Sequence, residues 1–199
     1  MPVAGFDIPK EIRTKGGVRM FTIRRSVALI GLSLVLILTS SHAALAANPS
    51  NITVTVMIQN LSVSTTGPID FGVVTAGSAT VSTVSSTVTN AGNVAETYSV
   101  NLTNPGGWTA VQAAPGSEEY CLGAMFNSAQ PASGGFVYAD HALTTTPTSC
   151  SATKFAGNET GVSVPASAAR HLWFKFEAPS ATTVTNQQTI VATVTASAP

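Results

Sequence analysis

The sequence predicts an all-β fold, an antiparallel two-sheet sandwich of about seven to nine short strands behind an N-terminal export signal. Three observations carry this. Apolar and polar residues alternate in several short runs, Gly, Pro and Asn punctuate those runs at close intervals, and helix formers are scarce after residue 46 while Thr, Val, Ser and Ala abound.

The export signal comes first along the chain. Arg24-Arg25 precede the apolar run Val27–Leu38, and the small residues Ala43-Ala44-Leu45-Ala46 follow it. A basic region, an apolar core and an A-x-A site are the parts of a secretory signal peptide, which places cleavage between Ala46 and Ala47. A membrane-spanning helix needs roughly 20 apolar residues, and Thr39-Ser40-Ser41-His42 interrupts this run sooner. No stable membrane span is expected after cleavage. Residues 1–46 thus read as an N-terminal extension and signal, with Met20 a candidate start because MFTIRRS forms a complete basic region. Residues 47–199 read as a single sandwich domain with an irregular insertion around 127–161. The expected location is outside the cytoplasm: secreted, at the cell surface or in the periplasm.

Within the sandwich, Ile52, Val54, Val56 and Ile58 alternate with Thr53, Thr55 and Met57, the pattern of a strand with one apolar face. Ile69–Val74 and Thr80–Val84 are further short strands separated by Ala76-Gly77-Ser78. Residues 87–102 read as a hairpin, its turn at Asn90-Ala91-Gly92-Asn93 built from residues that tolerate positive φ. Trp108–Val111 and Tyr120–Phe126 follow, with Trp108 expected in the core. Leu172, Phe174 and Phe176 share one face of Arg170–Glu177, opposite His171, Trp173 and Lys175, and Thr189–Ala196 is the final strand.

After residue 46 only Lys154, Arg170 and Lys175 face seven carboxylates, a net charge of −4. Three cations cannot neutralise a row of phosphates, so nucleic acid is excluded as a partner. The two cysteines, Cys121 and Cys150, both lie in the exported part and are expected to form a disulfide. Its loop of about thirty residues corresponds to ~3–4 kcal/mol on the chain-entropy estimate. Two buried thiols are the alternative. Neither the cysteines nor His141 and His171 show metal-ligand spacing, and no cofactor is expected.

Ile69-Asp-Phe-Gly-Val-Val-Thr-Ala-Gly77, then Val88-Thr-Asn-Ala-Gly92 and Tyr98-Ser-Val, resemble the opening of immunoglobulin-like domains of the ASPM/SPD-2/Hydin-like group in bacterial secreted proteins. Phe71, Gly72, Val74, Gly77, Asn90 and Gly92 carry the likeness, which spans about 35 residues of turn and core pattern. It implies an immunoglobulin-like sandwich and no particular activity.

No G-x-S-x-G is present, and the adjacent Glu118-Glu119 would diverge on a strand, so the chain is expected not to be an enzyme. The leading expectation is a structural or adhesive surface protein. It would associate with other extracellular proteins or with itself through the terminal strands Ile52–Ile58 and Thr189–Ala196. A monomeric carbohydrate-binding module is the alternative, with Trp173, Tyr138 and Trp108 as candidate glycan-stacking residues. A small secreted hydrolase is a third reading, motivated by the irregular segment.

Overall fold

The structure, a computed structural model, describes residues 51–199. The expected signal and its Ala46–Ala47 cleavage point lie outside the described residues. In chain order the strands are β1 (Val63–Thr65), β2 (Ala79–Val81), β3 (Ser86–Asn90), β4 (Thr97–Thr103), β5 (Thr109–Ala110), β6 (Glu119–Phe126), β7 (Thr148–Ser149), β8 (Ala169–Glu177) and β9 (Val191–Ser197), with a short 3-10 helix (Ser133–Gly135) and a short α-helix, α1 (Tyr138–His141). They form the all-β two-sheet sandwich that the alternation predicts.

The larger sheet is organised around β8. Its aromatic and β-branched-poor but strictly alternating sequence places Leu172, Phe174 and Phe176 on the core side. On one side β8 pairs antiparallel with β6, from Cys121↔Glu177 to Phe126↔Leu172. On the other side β2 and β3 lie end to end along it, β2 against Lys175–Glu177 and β3 against Ala169–Leu172. Ser82 fills the break between them: its N–H donates to Phe174 O at 2.8 Å and its Oγ accepts from Phe174 N–H at 3.2 Å. β1 extends the sheet beyond β3, and β5 extends it beyond β6 as the one parallel pair.

The smaller sheet has the order β7-β4-β9, with β4 and β9 paired over seven residues. Tyr98, Val100 and Leu102 of β4 face Val88, Leu122, Phe126, Leu172 and Phe174 of the larger sheet. Rings pack in two groups: Tyr98 lies 6.1 Å from Phe126, and Phe176 gathers Phe71, Tyr120 and Trp108 within 6.0 Å. Trp108 thus packs against the core as expected.

Three expected elements differ. Residues 87–102 are not a hairpin, because β3 and β4 belong to different sheets and the turn between them crosses the sandwich edge. Ile69–Val74 forms no strand: Asp70 Oδ1 accepts from Gly72 N–H at 2.8 Å and Gly72 takes φ +62°, which curls the chain while Ile69, Phe71 and Val74 pack against the core. Ile52–Ile58 forms no strand either, since among the described residues none pairs it into a sheet.

The insertion is ordered by β6. Leu143 N–H donates to Leu122 O at 2.9 Å, and Phe126 N–H to Phe155 O at 2.8 Å, so residues 142–143 and 155–157 line the outer edge of β6 while the chain between them crosses to β4. Leu143 and Phe155 reach into the main core. Phe136 instead turns over the outer face, packing with Met125 and Trp173. Gly123 makes this possible, because an added Cβ would lie 3.0 Å from the Phe136 ring.

Phe126 is fully buried at the meeting point of β4, β6 and the insertion. Phe126→Ala is expected to lower the unfolding free energy by about 3–5 kcal/mol, whereas Val73→Ala, at a fully exposed site, should change it by less than about 0.5 kcal/mol. Urea unfolding followed by tryptophan fluorescence measures both.

Candidate functional site

The turn that crosses between the sheets holds the chain as it approaches β1. Asn93 does most of this: its Oδ1 accepts from Asn60 N–H at 2.8 Å, its Nδ2 donates to Ile58 O at 2.8 Å, and its backbone N–H donates to Asn60 O at 3.1 Å. Ala91 N–H donates to Ser62 O at 2.7 Å, and Glu96 Oε1 accepts from Ser62 N–H at 2.6 Å. Asn90 frames the turn from inside, donating from Nδ2 to Val94 O and Val164 O and accepting Gly92 N–H at Oδ1. Gly92 is required for close approach and not for positive φ: a Cβ there would collide with the Asn60 carbonyl and the Glu96 carboxylate. Glu96 is completely buried, so one of the few acidic side chains is committed to holding this segment.

Upstream of that grip the chain changes character. Ile52, Val54, Val56, Met57 and Ile58 are each between 75% and 87% exposed. Single exposed apolar residues are ordinary, but five within seven positions make a contiguous apolar segment of the kind that marks an interaction site. β9 is the other unusual surface. It has β4 on one side, and among the described residues no backbone hydrogen bond reaches it from the other.

The candidate glycan-stacking residues do not gather on one surface. Trp173 is 9% exposed, donates its indole N–H to Asn127 O at 2.8 Å, and lies under the insertion against Met125 and Phe136. Its ring is therefore not an open platform, because the insertion covers the face on which it stands. Tyr138, on α1, donates its hydroxyl to Glu177 Oε2 at 2.6 Å, and Glu177 pairs with Lys175 at 2.8 Å. Trp108 belongs to the core side, stacked on Phe176 and bonded through its N–H to Thr182 Oγ1 at 3.0 Å. An open depression between residues 105–107 and 184–189 is lined by Gly106, Gly107, Asn186, Gln187 and Gln188, with no aromatic ring.

The expected disulfide is not formed: both thiols are free and buried. The reason is strand alternation. Tyr120, Leu122, Ala124 and Phe126 face the core, so Cys121 points to the outer face beside Gly123 and Tyr138, while Cys150 sits in the core against Gly161 and Phe126. Burial pushes both thiols up to about 12, and for Cys121 the nearby Glu177 adds to this. Burial likewise pushes the Tyr98 hydroxyl up to about 12 and raises that of Tyr120 further.

The remaining polar candidates serve the architecture. His171 has a half-open side chain and meets Glu159 at 3.3 Å on the solvent face that its alternation predicts. His141 is buried: Nδ1 accepts from Val137 N–H at 2.9 Å and Nε2 lies 3.2 Å from Ala156 O, joining two limbs of the insertion. Glu118 binds Thr182 and Thr183 through both carboxylate oxygens, and these hydrogen bonds hold its carboxyl below the usual range. Sequence reasoning missed Asn93 and Glu96 as the holding residues. The available signal was an acid placed between apolar residues and the first residue of a strong strand.

No family model, curated protein or solved structure matches the chain.

Two outcomes follow from this geometry. Replacing Asn93 with alanine removes both side-chain bonds to residues 58 and 60, so limited proteolysis should cut residues 58–62 several-fold faster while the sandwich remains intact. Because the folded thiols sit at about 12 against an ordinary 9.0, their stabilising contribution is complete below about pH 9 and is lost as pH rises toward 12. The urea midpoint should therefore fall from about pH 9 upward, with the buried tyrosines adding to the slope above about pH 10. In the same samples a maleimide should label neither thiol in the native state and both in denaturant.

Proposed function

We propose that this protein is an exported, non-enzymatic structural or adhesive component of the cell surface that works by associating with other copies or other surface proteins. The observation that carries this reading is the apolar segment Ile52–Ile58. Its five large side chains stand in water at an energetic cost, since burying one such side chain is worth roughly 1.5–3 kcal/mol. A segment of this kind is explained by a partner that covers it.

Composition supports the same reading. Export is supported by the basic residues, apolar run and small-residue site of residues 24–46, and the weak charge of the remainder suits contacts made by backbone and apolar surface. The resemblance to immunoglobulin-like domains of bacterial secreted proteins points in the same direction, through turn and core residues alone. The carbohydrate-binding reading loses its main support, because Trp173 is covered and Trp108 packs against the core.

Size-exclusion chromatography with light scattering, on protein purified as the cell releases it, tests the proposal. The expected result is a mass that rises with concentration over a hundred-fold range, on the order of a dimer or larger at the top. A monomer at every concentration, together with no binding to the cell envelope, would contradict it.

A further inference from the structure

We infer that Ile52–Ile58 of one copy adds as a strand to the free edge of β9 in a second copy, linking chains head to tail. This rests on the assembly reading above and specifies its contact. The acceptor is an edge strand: among the described residues no strand is hydrogen-bonded to its outer side, although β1 lies close to it. Val191–Ser197 holds a seven-residue ladder with β4 and contains no charge and no proline, the devices that normally discourage pairing. The edge of β6, by contrast, is closed by Leu143 and Phe155 from the insertion, and β1 at the far edge of that sheet is only three residues long.

The core is also thin beside β9. Ala192, Val194 and Ala196 take the core-facing positions, yet Val194 and Ala196 are only partly covered and Ala192 is exposed. Ile52, Val54, Val56 and Ile58 form a face of matching period and length, and the segment is uncharged. Laid along β9, that face would extend the apolar layer while the backbone groups of both segments found partners.

The same chain cannot readily supply its own β9. Residues 58–62 run antiparallel to residues 90–93 and continue into β1, so they enter the sandwich from the end where the β3–β4 turn lies. The end of β9 nearest that turn is Ser197, paired with Thr97, and the strand runs from there back along the sandwich. To lie on it, the chain would have to reverse direction just before residue 58, where Asn93 holds the Ile58 carbonyl and both backbone groups of Asn60. A second copy imposes no such reversal. Donor and acceptor are different surfaces, so the contact repeats from copy to copy and builds a linear chain unless a ring closes.

Engineered cysteines test this in the released protein, whose own two thiols are buried. One tagged copy carries Thr53→Cys or Thr55→Cys, and a differently tagged copy carries Thr193→Cys or Thr195→Cys. Mixed under mild oxidation, they are expected to give crosslinked heterodimers several-fold above a control in which the donor cysteine is placed at Val73. Association by light scattering without such crosslinks would overturn the strand pairing and leave the assembly reading standing. A protein that stays monomeric would overturn both. Crosslinks that form only within one chain, in a copy carrying both cysteines, would show self-closure and also overturn the inference.

Discussion

The structure depends on β8 being covered on both faces. Its core side carries Leu172, Phe174 and Phe176 against β4, as any sandwich requires, but Trp173 on the opposite side is equally removed from water. A two-layer sandwich leaves the outer face of each sheet in solvent, so a buried Trp173 demands a third covering element. The irregular insertion supplies it by bringing Phe136 over Met125 and Trp173, and it is fastened there by hydrogen bonds to the edge of β6 and by His141. Gly123, Trp173, Phe136 and the backbone of residues 142–143 and 155–157 therefore form one unit. The role of the insertion is structural before it is anything else.

Much of this was legible in the chain. The alternations Tyr98/Val100/Leu102, Tyr120/Leu122/Ala124/Phe126 and Leu172/Phe174/Phe176 mark core-facing residues directly, because one sheet face meets the other layer and period 2 follows. What alternation does not report is the partner. Ile52–Ile58 has the same pattern as β4 but no partner strand among the described residues, and residues 87–102 have the pattern of a hairpin while their strands join different sheets. Asn90 and Gly92 suggested a tight positive-φ turn. The turn's actual use is long-range, with Asn93 and Glu96 gripping Asn60 and Ser62 at a separation of more than thirty residues, which no local propensity encodes. The cysteines fail to pair for a related reason. The outward position of Cys121 follows from its neighbours, but the inward position of Cys150 depends on how the insertion pairs with β4, where its N–H donates to Tyr98 O.

Edges are treated unequally. The insertion closes β6, β7 covers one side of β4, and the far edge at β1 is short, whereas β9 presents seven residues of open backbone with small side chains. The only comparably unsatisfied segment among the described residues is Ile52–Ile58, which ends where Asn93 and Glu96 begin their hold. A fixed departure point for an apolar segment and an unpaired strand edge are the complementary halves of a repeating contact. The proposed surface role rests on that complementarity and on the export that residues 24–46 are expected to direct.

The hold at residues 58–62 is the hinge of this account, and hydrogen exchange followed by mass spectrometry measures it directly. In dilute protein the amides of Asn60 and Ser62 should be protected while residues 52–57 exchange at the rate of an open chain. As concentration rises, protection should spread to residues 52–57 and to β9 together. Protection of residues 52–57 already in the dilute monomer, or open-chain exchange at Asn60 and Ser62, would contradict it.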